Sequence, residues 1–167
     1  MNYGKLITQK LLEEKDRVPE PKQKFYYLQH QEGEFSFQIK FKDIGKYGIV
    51  LDYISLGKNT PILDVELINK RLDGQADKVQ KNINFLLEDF KLIEMDTRNK
   101  RAQLRSYPPH TEDNSKYYYE IVLDEGVKTH FQRYQYSREE KRYEKVTSQL
   151  ALETFERLVN ELASALE

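Results

Sequence analysis

Residues 35–42 read Phe-Ser-Phe-Gln-Ile-Lys-Phe-Lys, and this alternation constrains the fold more than any other stretch. Phe35, Phe37, Ile39 and Phe41 take one side of an extended strand, and Ser36, Gln38, Lys40 and Lys42 take the other. One face must be buried and the other wet, which is the signature of an antiparallel sheet covered on one side. Before it, Lys24–His30 is an aromatic strand and Gln31-Glu32-Gly33-Glu34 a turn. After it, Asp43-Ile44-Gly45-Lys46 turns the chain into a third strand, Tyr47–Leu56. That strand is apolar on both faces (Ile49, Val50, Leu51, Tyr53, Ile54), so it is expected at the centre of the sheet.

The rest of the chain divides between helical and extended periods. Lys5–Lys15 is a short helix with Leu6, Ile7, Leu11 and Leu12 on one face, closed by a stiff Val18-Pro19-Glu20-Pro21 linker. Asp64 is placed to cap a helix over Val65–Leu72. Asp73-Gly74 reads as a turn, and Val79, Ile83, Leu86, Leu87 and Phe90 as the stripe of a second helix, Ala76–Phe90. A hairpin follows over Lys91–Tyr107, with Asp96–Lys100 at its tip and Pro108-Pro109 ending it. His110–Lys116 reads as a mobile loop, Tyr117–Leu123 and Thr129–Tyr136 as strands, and Ser137–Lys145 as a charged connector. The last helix is Ser148–Leu166, capped by Thr147 or Ser148, with Ala151, Phe155, Leu158, Val159, Leu162 and Leu166 buried.

These elements predict a single α+β domain over residues 1–167: an antiparallel, curved sheet of about six or seven strands packed with a central helix pair and a C-terminal helix. Its parts are an N-terminal helix and proline linker (1–23), a three-stranded meander (24–56), a helical pair (62–90), a second meander (91–136) and the last helix (147–166). Two stretches echo each other. Lys24-Phe25-Tyr26-Tyr27 with Glu32-Gly33 and Phe37-Gln38 parallels Lys116-Tyr117-Tyr118-Tyr119 with Glu125-Gly126 and Phe131-Gln132. Independent choice of good hairpin residues accounts for this more readily than duplication.

Composition narrows the function classes. With no cysteine there are no disulfides, thiolate nucleophiles or Cys-ligated metals, and a reducing cytoplasm is the expected setting. Twenty-seven basic and 28 acidic residues leave a net charge of −1, so no global field draws the chain to nucleic acid or membrane. No apolar run nears the ~20 residues of a membrane helix, and no insertion is expected. His30, His110 and His130 have no metal-ligand spacing, and no phosphate loop or GxSxG elbow is present. Hence no catalytic residue, metal or cofactor is assigned. A folded pocket gathering dispersed carboxylates or histidines would reopen the enzyme question.

Two binding surfaces can be drawn. Val65–Tyr107, a helix, a turn, a helix and a basic-tipped hairpin, resembles a winged helix-turn-helix. That resemblance implies DNA contacts from Lys78, Lys81 and Asn82, and phosphate contacts from Arg98, Lys100 and Arg101. The preferred reading is a non-catalytic module that binds a protein or small ligand, its identity open, on an aromatic, arginine-bearing sheet surface. Arg101, Arg105, Tyr118, Arg133, Tyr134 and Tyr136 are the candidates, since Tyr and Arg combine contact area with a polar end.

Overall fold

The computed structural model describes the chain except residues 14–16 and 20–23, and gives only the backbone of 17–19. Among the described residues three helices flank one antiparallel sheet: α1 (Tyr3–Leu12), α2 (Val65–Asn82) and α3 (Leu152–Leu166). The strands are β1 (Arg17–Pro19), β2 (Tyr26–Glu32), β3 (Phe35–Ile44), β4 (Gly48–Lys58), β5 (Asp89–Asp96), β6 (Arg101–Tyr107), β7 (His110–Glu112), β8 (Ser115–Asp124), β9 (Lys128–Ser137), β10 (Arg142–Val146) and β11 (Ser148–Ala151). The main path runs β1-β2-β3-β4-β9-β8-β6-β5 and does not close. β4 and β9 form its centre, where Tyr53–Gly57 pairs with Gln132–Lys128. Beyond that they diverge. β10 then pairs with β9 and β11 with β4, so the chain from Arg142 to Ala151 fills the fork between them.

All three helices lie on one face. α3 packs on β4, β9 and β11, α2 on β5, β6 and β8, and α1 on α3. The covered face supplies one core: Phe35, Phe37, Ile39 and Phe41 from β3, Ile54 and Leu56 from β4, Phe131 from β9, Tyr119, Ile121 and Leu123 from β8, and Leu104 from β6. Against these pack Ile7 and Leu11, Leu72 and Val79, and Phe155, Leu158 and Leu162. The alternation of β3 is therefore obeyed, with its polar residues on the face no helix covers.

In β4 the alternation slips. Ile49 and Leu51 are buried, and then Ile54 and Leu56. The cause is an irregular register: Lys40 opposes Tyr53 and Phe41 opposes Leu51, leaving Asp52 as the extra residue. A bulge of this kind re-aims a side chain. Here it turns Asp52 toward the helix-free face.

Several expectations need correction. α2 is one helix, not a pair. Asp73 and Gly74 lie exposed within it, where glycine costs only about 1 kcal/mol and keeps its N–H donor. The helix stops at Asn82, so Leu86, Leu87 and Phe90 are not on its stripe; Leu87 is 83% exposed, and Phe90 is buried from β5. The turn on which the winged-helix resemblance rests is absent. Residues 110–116 form β7 and a turn onto β8 rather than a loose loop, and the charged run ends in β10. Ser148 and Leu150 are buried at extended spacing on β11, so α3 starts four residues later than its periodicity suggests, with no side-chain cap at Ala151. The sheet is also wider than six or seven strands, because short segments join it at the fork and edge. Of the expected proline linker, Val18 and Pro19 lie in β1, and Glu20 and Pro21 fall outside the described residues. Among the described residues no helix is long and apolar enough to cross a membrane.

Candidate functional site

The uncovered face of the sheet carries a cavity of about 840 Å³. Its walls are the outward residues of the central strands: Gln29 and Gln31 of β2, Ser36 and Gln38 of β3, Ser55 of β4, Lys128, His130 and Tyr134 of β9, Glu120, Val122 and Asp124 of β8, Arg101 of β6 and Lys145 of β10. Convergence from so many strands follows from strand parity. Gln29 opposes Gln38, Gln38 opposes Ser55, Ser55 opposes His130 and His130 opposes Val122, one row straight across the sheet. Residues in register share a face, so the row lines the cavity as a unit.

A hydrogen-bonded chain starts at the cavity lining with Ser55 and His130 and runs on to buried Gln132 and Asp52. Ser55 Oγ is 2.7 Å from His130 Nδ1, and His130 Nε2 is 3.0 Å from Gln132 Oε1. Gln132 Nε2 donates to Asp52 Oδ1 at 2.7 Å and to the Asp52 carbonyl at 3.3 Å. Asp52 Oδ2 pairs with Lys40 Nζ at 3.4 Å. The bulge in β4 is what places Asp52 at the end of this line. Burial holds the His130 pKa below the ordinary imidazole value; the bond to Gln132 and the charges of Asp52 and Glu120 work against that shift, and Lys145 reinforces it. The ring of Tyr53 lies 4.9 Å from the imidazole and packs it in place.

The carboxylates of the cavity are largely neutralised. Glu120 accepts from Gln103 at 2.9 Å and pairs with Arg105 at 3.6 Å, while Asp124 pairs with Arg101 at 4.0 Å. Lys128 and Lys145 form no ion pair among the described residues. The site therefore offers hydroxyl, imidazole and amide groups together with unbalanced ammonium charge. Among the described residues no group of carboxylates and histidines could hold a metal ion.

The aromatic, arginine-bearing surface is partly assembled. Arg105 lies 4.3 Å over the ring of Tyr118, Tyr118 stacks on Tyr134 at 5.7 Å, and Tyr136 meets Tyr143 at 4.7 Å. Arg101, Arg105, Tyr118, Tyr134 and Tyr136 share the helix-free face, and Tyr134 and Arg101 line the cavity itself. Tyr118 is only 5% exposed, and burial pushes its pKa up to about 12. Arg133 does not join them. It follows Gln132 and precedes Tyr134, so the pleat turns it to the covered face, where it lies buried 4.2 Å over Tyr119. There its charge acts on Glu88, whose pKa burial raises and Arg133 opposes.

The residues of the DNA reading are divided between two sides. Lys78, Lys81 and Asn82 sit exposed on α2, with Lys78 Nζ donating to the Ser164 carbonyl at 3.3 Å. Arg98 and Lys100 lie in the β5–β6 turn, and Arg101 faces the cavity across the sheet from α2. The sequence pattern offers no functional role for Ser55, Gln132, Asp52 or Lys40, and it considers His130 only as a metal ligand. His130 and Gln132 do alternate on one face of a strand, but the partner 75 residues away is set only by register.

Comparison with known proteins finds no matching family model, no matching curated protein and no matching solved structure.

Proposed function

We propose that the protein binds a small polar molecule, with an anionic or strongly hydrogen-accepting group, in the cavity on its helix-free sheet face. The observation that carries this reading is the convergence of outward side chains from β2 to β6 on one space of about 840 Å³. That volume falls within the range that takes metabolite-sized ligands. Lys128 and Lys145 supply the positive field, and the glutamines, Ser36 and Tyr134 supply directional contacts. The site is an open concavity in the sheet face, lined by polar groups from several strands. The Tyr118–Tyr134–Arg105 cluster forms one rim and orders the wall beside the cavity.

The test is a thermal-shift and NMR screen of small acids, phosphates and sugars. A ligand at a hundredfold excess over Kd stabilises by about 2.7 kcal/mol, roughly 5–10 °C for a chain of this length. The shift should disappear in the Lys128→Glu/Lys145→Glu variant and weaken in Tyr134→Ala. A ligand whose chemical-shift changes map to α2 or to the β5–β6 turn would remove the reading.

A further inference from the structure

We propose that Ser55 is a nucleophile and His130 its general base, so that the cavity accepts carboxylic esters and transfers their acyl group to Ser55. This deepens the binding reading and rests on it, since the ester must occupy the same cavity.

The geometry settles which atom carries which proton. Gln132 Nε2 faces only oxygen acceptors, Asp52 Oδ1 and the Asp52 carbonyl, which fixes the orientation of its amide. Gln132 Oε1 therefore points at His130 Nε2 and accepts its proton at 3.0 Å. Nδ1 is left with the lone pair, and the Ser55 hydroxyl is the donor at 2.7 Å. A hydroxyl donating to a neutral imidazole, itself held by a further group, is the arrangement an activated serine needs. Burial favours the neutral ring, so the base is free at neutral pH.

The dyad is also rigid. Ser55 and His130 are direct register partners on the two central strands, so their approach is set by the sheet ladder rather than by a loop. Gln132 and Asp52 act as positioning residues: they hold the tautomer and place the carboxylate of Asp52 to favour the imidazolium. Lys128 and Lys145 line the same cavity and supply positive charge for a developing oxyanion.

The step balances without a cofactor. Ser55 Oγ bonds to the ester carbonyl carbon, the carbonyl π pair moves to its oxygen, and the Oγ proton passes to His130 Nδ1. Collapse breaks the carbon–alkoxy bond, and Nδ1 returns the proton to the leaving alkoxide as an alcohol. Water then attacks the acyl-serine by the same proton route, releasing a carboxylic acid and restoring Ser55.

The full chain is treated with an alkyl fluorophosphonate and digested, and separately with p-nitrophenyl acetate. One adduct is expected, on the peptide holding Ser55, which needs no variant to establish. Ser55→Ala should abolish it, and His130→Asn should slow labelling by about 10²–10⁴-fold, the range of general-base catalysis. Gln132→Met should move the pH profile of labelling, which a purely structural role would not do. Adduct on other residues, no adduct on the folded protein, or equal rates in His130→Asn would overturn the proposal. If ligand-induced NMR shifts at His130 persist while no adduct forms, the binding reading stands and the nucleophile falls. If adduct forms on Ser55 while none of the screened acids, phosphates or sugars shifts the melt, the cavity and its nucleophile stand and the anionic class of ligand falls.

Discussion

Two glycines in helices should respond to alanine with opposite signs. Gly4 lies in the first turn of α1, against α3. Its N–H donates to Asn160 Oδ1 at 2.8 Å, and Asn160 Nδ2 donates to Asn2 Oδ1 at 2.9 Å. A Cβ on Gly4 would stand 2.1 Å from the Glu156 carbonyl oxygen and 2.7 Å from its Cα, both backbone atoms of α3. Reaching ordinary contact requires the helices to part by roughly 1.3 Å, which also stretches the Asn160 bond. Overpacking costs about 1–3 kcal/mol and a weakened hydrogen bond about 1 kcal/mol. Helix propensity returns at most about 1 kcal/mol. Gly4→Ala should therefore destabilise by about 1–3 kcal/mol, and a loss of 2 kcal/mol is roughly 4–8 °C in Tm for this size. Gly74 is the internal control. It sits mid-helix in α2, and a Cβ there would meet nothing within 4 Å. Gly74→Ala should stabilise by about 0.5–1 kcal/mol. Thermal melts and urea midpoints on both variants measure the pair. A neutral or stabilising Gly4→Ala would mean that α1 is not seated on α3 as described.

Other consequences can be checked in the same preparations. The His130 ring should titrate below the ordinary histidine value in proton NMR, and Asp52→Asn should lower it further, because the Asp52 charge raises it. The unfolded chain then takes up more protons below about pH 6.5, so stability is full above that pH and falls as pH drops toward the folded pKa. His130→Gln should flatten that slope; an unchanged slope would mean that burial, reinforced by Lys145, does not outweigh Gln132, Asp52 and Glu120 in keeping the ring neutral. Tyr118, held up to about 12 by burial, should be missing from the phenolate absorbance that grows near pH 10 and appear only later. Stability should fall as pH rises above about 10, where the unfolded chain ionises first. Phe131→Ala removes a fully buried ring stacked 5.4 Å from Tyr119 at the centre of the sheet and should cost about 3–5 kcal/mol, read as a lower urea midpoint.

The sheet order also bears on the sequence echo. β4 and β9 are the central pair, each the last strand of its meander, so the place of β3 corresponds to that of β8. The echoed hairpins are β2–β3 and β8–β9, one strand out of step with that correspondence. Shared preference for aromatic strands and acidic-glycine turns explains the resemblance; a duplicated unit would align with the sheet.

What was legible from the chain alone was the side each residue takes. The alternation of Phe35–Phe41 marked a strand with a wet reverse, the apolar Tyr47–Leu56 marked the centre, and Phe155, Leu158 and Leu162 marked the buried side of the last helix. Local period encodes burial because neighbouring side chains diverge by a constant angle. The same period could not separate α2 from a broken pair, since Asp73-Gly74 is polar enough for a turn yet keeps both backbone donors. Nor could it show that Ser55 meets His130, or that a bulge at Asp52 brings a carboxylate to the same line. Those contacts depend on which strands become neighbours and in what register, a choice made by the free energy of the whole core and written at no single position.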